Sequence, residues 1–539
     1  MLNFVYQREQ VASHDLSWCV RFMMGILFTL ASGVYAQPLV YPETTQDDSI
    51  LVTRVVSPVV NHVSEFSTCN LWKARPCDYL VAYSDSLLAI GFSPLVHLGF
   101  GVMSGSRQIP YFNRKGVRIS GHIKRKILFY SEFTDNQIGL PKPLKTQVDT
   151  ALGTVLPHFI WTKEFDGYLN DTILTKGVDF NDARSVLTVI AMDKPFLAFS
   201  LGFATNQMGY GYLTPFLSYR SSPYTFLRAD FEYKNWRYYV LWATMKHFVG
   251  VPASKPFPNK HFVAHTLEFQ VNERLSLAFH EQVMMFRDTN SLFPDWNYFN
   301  PIIFYRTVEH YLGSPDNAGL GFSAMYRYKF FRIWINFFID DLFISHLQAD
   351  IKQIITGNPQ YYAGSYLNKW AFSTGLALNW EGLRVQWEYM RIRPFTYSHS
   401  SILQNFAHYG YGIAHPKGAN LWETLFKATY TIGKWEAGTM FAIVKQGIDT
   451  GKTNYGADIF KNFKNATRYY GNYTTQGVPV MTQNFHFWIA YHLNKTLTLE
   501  LYAQLRKSLS TLFREQYSML ALSLNWNLFN PYRTLWWDW

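Results

Sequence analysis

Short segments in which apolar and polar side chains alternate recur along this chain, and they constrain its fold more than any other feature. In RVQWEYM, residues 384–390, Trp387 and Tyr389 share one face of an extended strand, and Gln386 and Glu388 share the other. Such segregation arises because successive side chains of a strand point to opposite sides. The same alternation occurs in residues 225–234, 265–271, 331–341, 482–492, 496–504 and 519–530.

Alternation of this kind suits either a half-buried soluble sheet or a membrane barrel, and composition favours the barrel. Of the 539 residues, 18% are aromatic and only 16% are charged. A soluble β-propeller would show a repeat of about 40 to 50 residues, which is absent. In lipid, only closure leaves no strand edge unpaired. The pattern predicts an all-β fold: a transmembrane outer-membrane β-barrel of about 16 to 18 antiparallel strands, with its aromatic side chains facing lipid.

The N-terminal residues are typical of an exported protein. FMMGILFTLASGVYAQ, residues 22–37, is an apolar run that ends in small residues, as at a signal-peptide cleavage site. We therefore predict a signal peptide over residues 1–36, a small periplasmic or plug segment over 37–84, and the barrel over 85–539. This organisation predicts location in the outer membrane, with outer-membrane lipid as a partner.

The distribution of charge argues against one class of partner, and the cysteine positions suggest one covalent cross-link. The formal charge of +11 is spread along the chain, without the basic patch that nucleic-acid binding requires, so nucleic acid is not expected as a partner. Cys69 and Cys77 lie eight positions apart in a segment expected in an oxidising compartment. They are a candidate disulfide pair.

Turn-rich, polar segments interrupt the alternation between strands. They are GVRISGHIKRKILFYSEFTDNQ (116–137), LSYRSSPYTFL (217–227), GSPDNAGLG (313–321), RPFTYSH (393–399), AHPKGAN (414–420) and NYGADI (454–459). Together these motifs resemble the outer-membrane capsule-assembly proteins of the Wzi type, most closely the RemB-like gliding-associated branch. The motif LSYRSSPY departs from the family at Tyr219 and Arg220.

The resemblance implies an outer-membrane barrel of about 18 strands with a small periplasmic or plugging element. For the Wzi type it implies a lectin-like role, in which surface (capsular) polysaccharide is bound or anchored at the cell surface. For the gliding branch it implies an accessory subunit of a gliding or secretion machine, with other envelope proteins as partners. A porin for anions or oligosaccharides is a further alternative, because the same fold with an open lumen would conduct.

Two groups of residues are candidates for functional roles, one for a polar network inside the barrel and one for binding a ligand. Polar side chains near the turns are expected to form a network in the lumen that fixes inward-folded loops or contacts ligand: Arg306, Glu309, Asp316, Asn317, Arg391, Arg393, His399, His415, Asn420 and Glu423. Aromatic side chains near the turns are candidates for stacking on sugar rings, or alternatively for an interfacial girdle or loop packing: Trp296, Tyr298, Tyr361, Tyr362 and Tyr397.

Motifs for catalysis or cofactor binding are not convincing. GIDTGKT (447–453) has one residue too few for a phosphate-binding loop. HFVAH (261–265) lacks a third metal ligand. Ser398 and His399 are adjacent, so a strand would point them to opposite faces, and no nucleophile elbow is present. We therefore expect no cofactor, no metal site and no enzymatic activity.

Overall fold

The computed structural model describes residues 80–104, 109–139, 163–165, 177–193, 195–249, 251, 256–287, 291, 294–300, 304–313, 316–494 and 496–527. The signal peptide, most of the predicted N-terminal segment and the Cys69–Cys77 pair lie outside these residues and stay predictions. The C-terminal residues 528–539 lie outside them as well.

Almost all described secondary structure is β. The barrel strands are β2 Leu88–Met103, β3 Tyr111–Ile123, β4 Ile127–Gly139, β6 Gly177–Asp193, β7 Phe196–Ala204, β8 Tyr224–Tyr233, β9 Trp236–Lys246, β10 Asn259–Gln270, β11 Leu275–Met285, β12 Asn317–Tyr328, β13 Phe331–Asp341, β14 Lys369–Trp380, β15 Leu383–Ile392, β18 Leu421–Ile432, β19 Trp435–Ile448, β20 Val478–His492, β21 Leu497–Ser510 and β22 Arg514–Trp526. Four short strands also lie within the described residues: β1 Val81–Ser84, β5 Lys163–Phe165, β16 Ala407–His408 and β17 Tyr411–Gly412. The α-helices in this part of the chain are α1 Tyr305–Leu312 and α2 Ile344–Thr356.

Each barrel strand pairs antiparallel with its neighbours, and the first barrel strand closes on the last. Residues Val96 to Met103 of β2 pair with Trp526 to Met519 of β22, which completes an 18-stranded closed barrel. The predicted fold class and strand number are confirmed. Strand β1 pairs with the first half of β2. No helix among the described residues is long and apolar enough to cross a bilayer.

The two faces of the barrel wall differ as the alternation predicts. On β15, Trp387 is 42% exposed on the outer surface, whereas Glu388 beside it is fully buried inside. On β8, Phe231 lies outside, and Arg228 and Asp230 are buried within. Isolated charges in hydrocarbon are costly, so an apolar outer band around a polar interior is the arrangement that suits a bilayer.

The connections at the two ends of the barrel differ in length. At one end consecutive strands are separated by only two to four residues, at 124–126, 194–195, 234–235, 271–274, 329–330, 381–382, 433–434 and 493–496. At the other end they include long segments, at residues 205–223, 286–316, 342–368, 393–420 and 449–477. In outer-membrane barrels the short turns face the periplasm and the long loops face the exterior. This rule places the long connections at the cell surface.

Candidate functional site

The connection between β7 and β8, residues 205–223, folds into the lumen. Glu388 of β15 accepts hydrogen bonds from the backbone N–H groups of Tyr212 and Leu213, at 2.8 and 2.7 Å. Asn336 of β13 accepts from the Tyr210 backbone N–H at 2.9 Å and donates to its carbonyl at 2.8 Å. The inward polar groups of the barrel wall thus satisfy the backbone of a buried loop, as buried polar groups require.

The connection between β15 and β18, residues 393–420, also folds into the lumen and contacts the first segment. The fully buried Lys260 of β10 donates its ammonium to the side chain and backbone carbonyl of Asn405, at 2.7 and 2.6 Å. The backbone N–H of Ser218 donates to the Ile413 carbonyl at 3.0 Å. We call residues 205–223 and 393–420 the plug segments, because both contact inward-facing residues of the barrel wall and are largely buried.

A buried charge cluster joins the two plug segments to the wall. Arg220 of the first segment and His415 of the second both lie against the same Oε2 atom of Glu423 on β18, at 2.9 and 2.7 Å. All three side chains are buried. Arg220 lies in the motif LSYRSSPY, residues 217–224, and supplies a cation that was not among the predicted lumen residues.

A second carboxylate, Asp316, ties the β11–β12 connection to the second plug segment. Two guanidinium N–H groups of Arg287 donate to Asp316, both at 2.6 Å, and Gln404 donates to it at 3.2 Å. The hydroxyl of Tyr298 donates to it at 3.0 Å. The hydrogen bonds from Arg287 to Asp316 raise the pKa of that guanidinium. Asn317, the next residue, is buried at the start of β12.

Three further predicted residues of the polar network fix the long connections. Arg393 donates to Asp350 of α2 at 3.1 Å. Asn420, at a left-handed φ of 59°, donates to the carbonyls of residues 447 and 476 at 2.7 and 2.8 Å. The half-buried His399 accepts from the Ser401 backbone at 3.3 Å. The hydroxyl of its neighbour Ser398 donates to the Phe395 carbonyl at 2.5 Å, so it is engaged away from His399.

Arg391 does not belong to the lumen network, and this corrects the sequence analysis. It occupies the outward register of β15, between the fully buried Met390 and Ile392. Its guanidinium is exposed and donates to Thr474 at 2.9 Å. The strand continues its alternation to its last residue, whereas the prediction placed Arg391 with the turn that follows. Arg306 and Glu309 lie on α1, but their side chains are outside the described residues.

Tyr298 and Tyr397 do not fit the prediction of stacking on sugar rings, because neither ring can reach a glycan; they fit the alternative of loop packing. Tyr298 is fully buried and Tyr397 is 1% exposed. Their hydroxyls bond Asp316 and the carbonyl of Pro215. Each is an amphipathic ring whose polar end finds a buried partner, which is the common arrangement for interior tyrosine.

The other three aromatic candidates are exposed at the long-loop end. Trp296 is 77% exposed and lies against Phe299 at 4.9 Å. Tyr361 is 76% exposed and Tyr362 is 45% exposed. These two contact each other edge to face, with ring centroids 4.9 Å apart. Exposed aromatic rings held at an aqueous surface are suited to binding rather than to core packing.

Tyr361 and Tyr362 belong to a larger aromatic surface that the sequence analysis missed. The ring of Tyr470 lies 5.3 Å from Tyr361 and 5.6 Å from Tyr362. His346 of α2 stacks on Tyr362 at 5.1 Å. We call Tyr361, Tyr362, Tyr470 and His346 the tyrosine patch. The segment RYYGNYTT, residues 468–475, carried a signal in its three tyrosines within a turn-rich stretch.

Backbone hydrogen bonds between two long connections hold the tyrosine patch in shape. The N–H of Gly471 donates to the Ala363 carbonyl, and the N–H of Asn472 donates to the Gly364 carbonyl, both at 2.9 Å. Gly364 has a φ of +68°, and a Cβ there would lie 2.5 Å from the backbone nitrogen of Asn472. The close approach of the two chains therefore requires glycine.

The closed barrel, its apolar outer band and its unequal ends define the class: this chain is an outer-membrane β-barrel protein. No protein-family model matches the sequence, and no curated protein matches it.

Among solved structures, the chain is similar to Wzi of Escherichia coli, which is described as a carbohydrate-binding β-barrel involved in group 1 capsule assembly. That match has a TM-score of 0.46 and 10% identity, and covers 81% of this chain and 85% of Wzi. The chain is also similar to two Pseudomonas aeruginosa proteins. OccK8 (OprE) has a TM-score of 0.40 and 10% identity, with 81% of this chain and 97% of that one covered. OpdK, solved with vanillate, has a TM-score of 0.41 and 8% identity, with 81% and 98% covered.

Proposed function

We propose that this protein is a non-enzymatic receptor of the outer membrane that holds an extracellular polysaccharide, of the capsular kind, on the tyrosine patch. The observation that carries the proposal is the clustering of exposed tyrosine rings at the long-loop end of the barrel. Tyr361, Tyr362 and Tyr470 lie within 5.6 Å of one another, centroid to centroid. A sugar ring presents apolar C–H groups on its face and hydroxyls at its edge, which matches an amphipathic tyrosine surface.

The rigidity of the patch supports a binding role. Its two connections are cross-linked through the backbone of residues 363–364 and 471–472. Asp350 of α2 accepts from the Gly364 N–H at 2.6 Å and from Arg393 at 3.1 Å. A surface fixed before the ligand arrives loses less conformational entropy on binding.

The plug segments weigh against the porin alternative. Residues fully buried in the first segment include Met208, Tyr210 and Phe216, and Tyr397 in the second is nearly so. Side chains packed in the interior reduce the aqueous path that a porin needs. Kinship with the Wzi type and its RemB-like gliding branch remains part of this proposal, and an accessory role in a gliding or secretion machine remains the alternative.

The test is binding of surface polysaccharide from the protein's own cells to the full chain in detergent. We expect saturable binding that the double variant Tyr361→Ala/Tyr470→Ala weakens about tenfold or more, as loss of central aromatic contacts does. The matched control is Tyr311→Ala, which removes a tyrosine that is 86% exposed on α1, outside the patch.

Heat-modifiable migration in gels should be unchanged in both variants, because none of the three side chains removed supports the barrel. Equal binding by the wild type and the double variant would reject the patch as the site. Absence of polysaccharide binding, with envelope proteins co-purifying, would favour the accessory role instead.

A further inference from the structure

Helix α2 carries an apolar face that the protein itself does not cover. Ile344, Ile351, Ile354 and Ile355 are 71%, 47%, 80% and 77% exposed. No residue of the helix is buried. At 3.6 residues per turn these side chains, with Leu347, fall on one side of the helix. An exposed apolar surface of this kind on a protein at a membrane marks an interaction surface.

The polar side of α2 is already occupied by the protein. His346 stacks on Tyr362, and Asp350 bonds Gly364 and Arg393. Nine residues separate His346 from Ile355, which corresponds to about half a revolution. The contacts that anchor α2 to the loops therefore fix its isoleucine face toward the surroundings.

The start of α2 lies close to the upper edge of the lipid-facing band. In the outward register of β13, Ile333 and Ile335 are exposed. Higher on the wall, Phe337 lies 5.9 Å from Trp370 of β14. The exposed Arg391 lies 5.9 Å from the same Trp370. Aromatic and basic side chains together at the end of an apolar band mark the interface between hydrocarbon and headgroups.

The chain passes directly from this interface into the helix. Trp370 pairs with Ile339 of β13, and α2 begins five residues after Ile339. Phe343, immediately before the helix, is 47% exposed. Strand residues advance by about 3.3 Å each, so the helix begins near the level of the headgroups. Its apolar face therefore starts, at Ile344, within a few residues of the lipid-facing surface of the barrel.

We propose that α2 is an interfacial helix whose isoleucine face lies in the headgroup–acyl boundary of the outer leaflet. Amphipathic helices bind this boundary by burying their apolar face while the polar face stays in water. Here the polar face carries the tyrosine patch through His346. The membrane contact would hold the patch at a fixed height above the lipid. The inference stands whether or not the patch binds polysaccharide.

The experiment places a spin label at Ile354 in the full chain and measures its collisions with oxygen and with a water-soluble nickel chelate. The protein is reconstituted in vesicles of phosphatidylcholine and phosphatidylglycerol, after Cys19, Cys69 and Cys77 are replaced by Ser. The control label is at Lys352, which is exposed and lies about 200° around the helix from Ile354.

Lipid embedding predicts an oxygen-to-nickel collision ratio several-fold higher at position 354 than at position 352. Equal ratios would overturn the proposal, because both positions would then stand in water. Protection of position 354 from both reagents would also overturn it, because a protein or a second copy of this chain would be the occupant. If the cysteine-free chain does not assemble, benzoylphenylalanine at position 354 of the wild-type chain provides the readout: lipid adducts support the inference, and their absence contradicts it.

Discussion

The hydroxyl of Tyr397 donates a hydrogen bond to the carbonyl of Pro215 at 2.8 Å, and this contact joins the two plug segments. The residues lie 182 positions apart in the sequence. The ring of Tyr397 also stacks on Phe338 of β13 at 5.4 Å. The bond and the stacking together hold the two plug segments against each other and against the barrel wall.

Removing this hydroxyl should destabilise the protein modestly. In Tyr397→Phe, the ring packing stays while a buried carbonyl loses its partner, at a cost of about 1 kcal/mol. Thermal unfolding followed by circular dichroism in detergent should show a lower midpoint than wild type. Tyr311→Phe, at an exposed site, should leave the midpoint unchanged. Equal midpoints for Tyr397→Phe and wild type would contradict the role of this bond.

Two arginines should differ sharply in their contribution to stability. Arg220→Ala removes a buried cation from Glu423, and breaking a buried ion pair by removing one partner costs roughly 3–5 kcal/mol. Arg391→Ala removes an exposed side chain, and such changes usually stay within about 0.5 kcal/mol. Unfolding of both variants in the same detergent tests the difference. Similar losses in the two variants would contradict the assignment of Arg220 to the interior.

Acid should lower the stability of the folded protein because His408, in the second plug segment, is buried in its neutral form. Its Nδ1 accepts from the Lys246 N–H and its Nε2 contacts the Pro223 carbonyl, each at 3.0 Å. This arrangement uses the neutral ring, and burial lowers the pKa of His408 to about 4. An unfolded histidine has a pKa of about 6.5. Between these values only the unfolded state takes up the proton, so stability falls as the pH drops from about 6.5 toward 4.

Comparison with His408→Gln isolates this effect. The wild type should lose up to about 3 kcal/mol through this group across that pH range. The variant should start less stable at neutral pH and lose less on acidification. Two other histidines, the buried His247 and the half-buried His399, also have their pKa lowered to about 4 by burial and contribute to the remaining slope. Parallel pH profiles for variant and wild type would exclude His408 as a contributor.

Substitution of two glycines with the same φ angle can distinguish backbone strain from steric crowding at the tyrosine patch. Gly364 and Gly357 both have a φ of +68°. A Cβ at Gly364 would collide with Asn472, whereas a Cβ at Gly357 would meet nothing within 4 Å. Gly364→Ala should therefore perturb the patch, seen as altered near-ultraviolet circular dichroism and faster proteolysis of residues 342–368. Gly357→Ala should show only the common strain of about 1 kcal/mol, and equal effects would contradict the close approach.

Much of the barrel could be predicted from the sequence because alternation is a local property. The faces of β15 follow from Trp387 and Glu388 alone, since one strand in lipid must separate apolar from polar side chains. The same alternation, continued to the end of the strand, would have placed Arg391 on the outer face with Trp387. The plug could not be predicted in this way, because Glu388 finds its partners 175 and 176 positions away. The burial of Tyr298 and Tyr397 likewise depends on distant residues that no local pattern identifies.

The position of the plug segments in the lumen also predicts that the protein conducts little ionic current. In planar bilayers the wild type should show little or no single-channel conductance, because the interior at this level is packed with side chains. Replacing residues 208–217 by a short glycine–serine linker removes Tyr210 and Phe216 while keeping Arg220 on Glu423. Channels should then appear, because Glu388 and Asn336 lose the loop that covers them and water enters. As a control, the same linker in place of residues 344–356 removes α2 outside the lumen and should leave the barrel silent. A silent plug variant would show that residues 208–217 do not close the lumen.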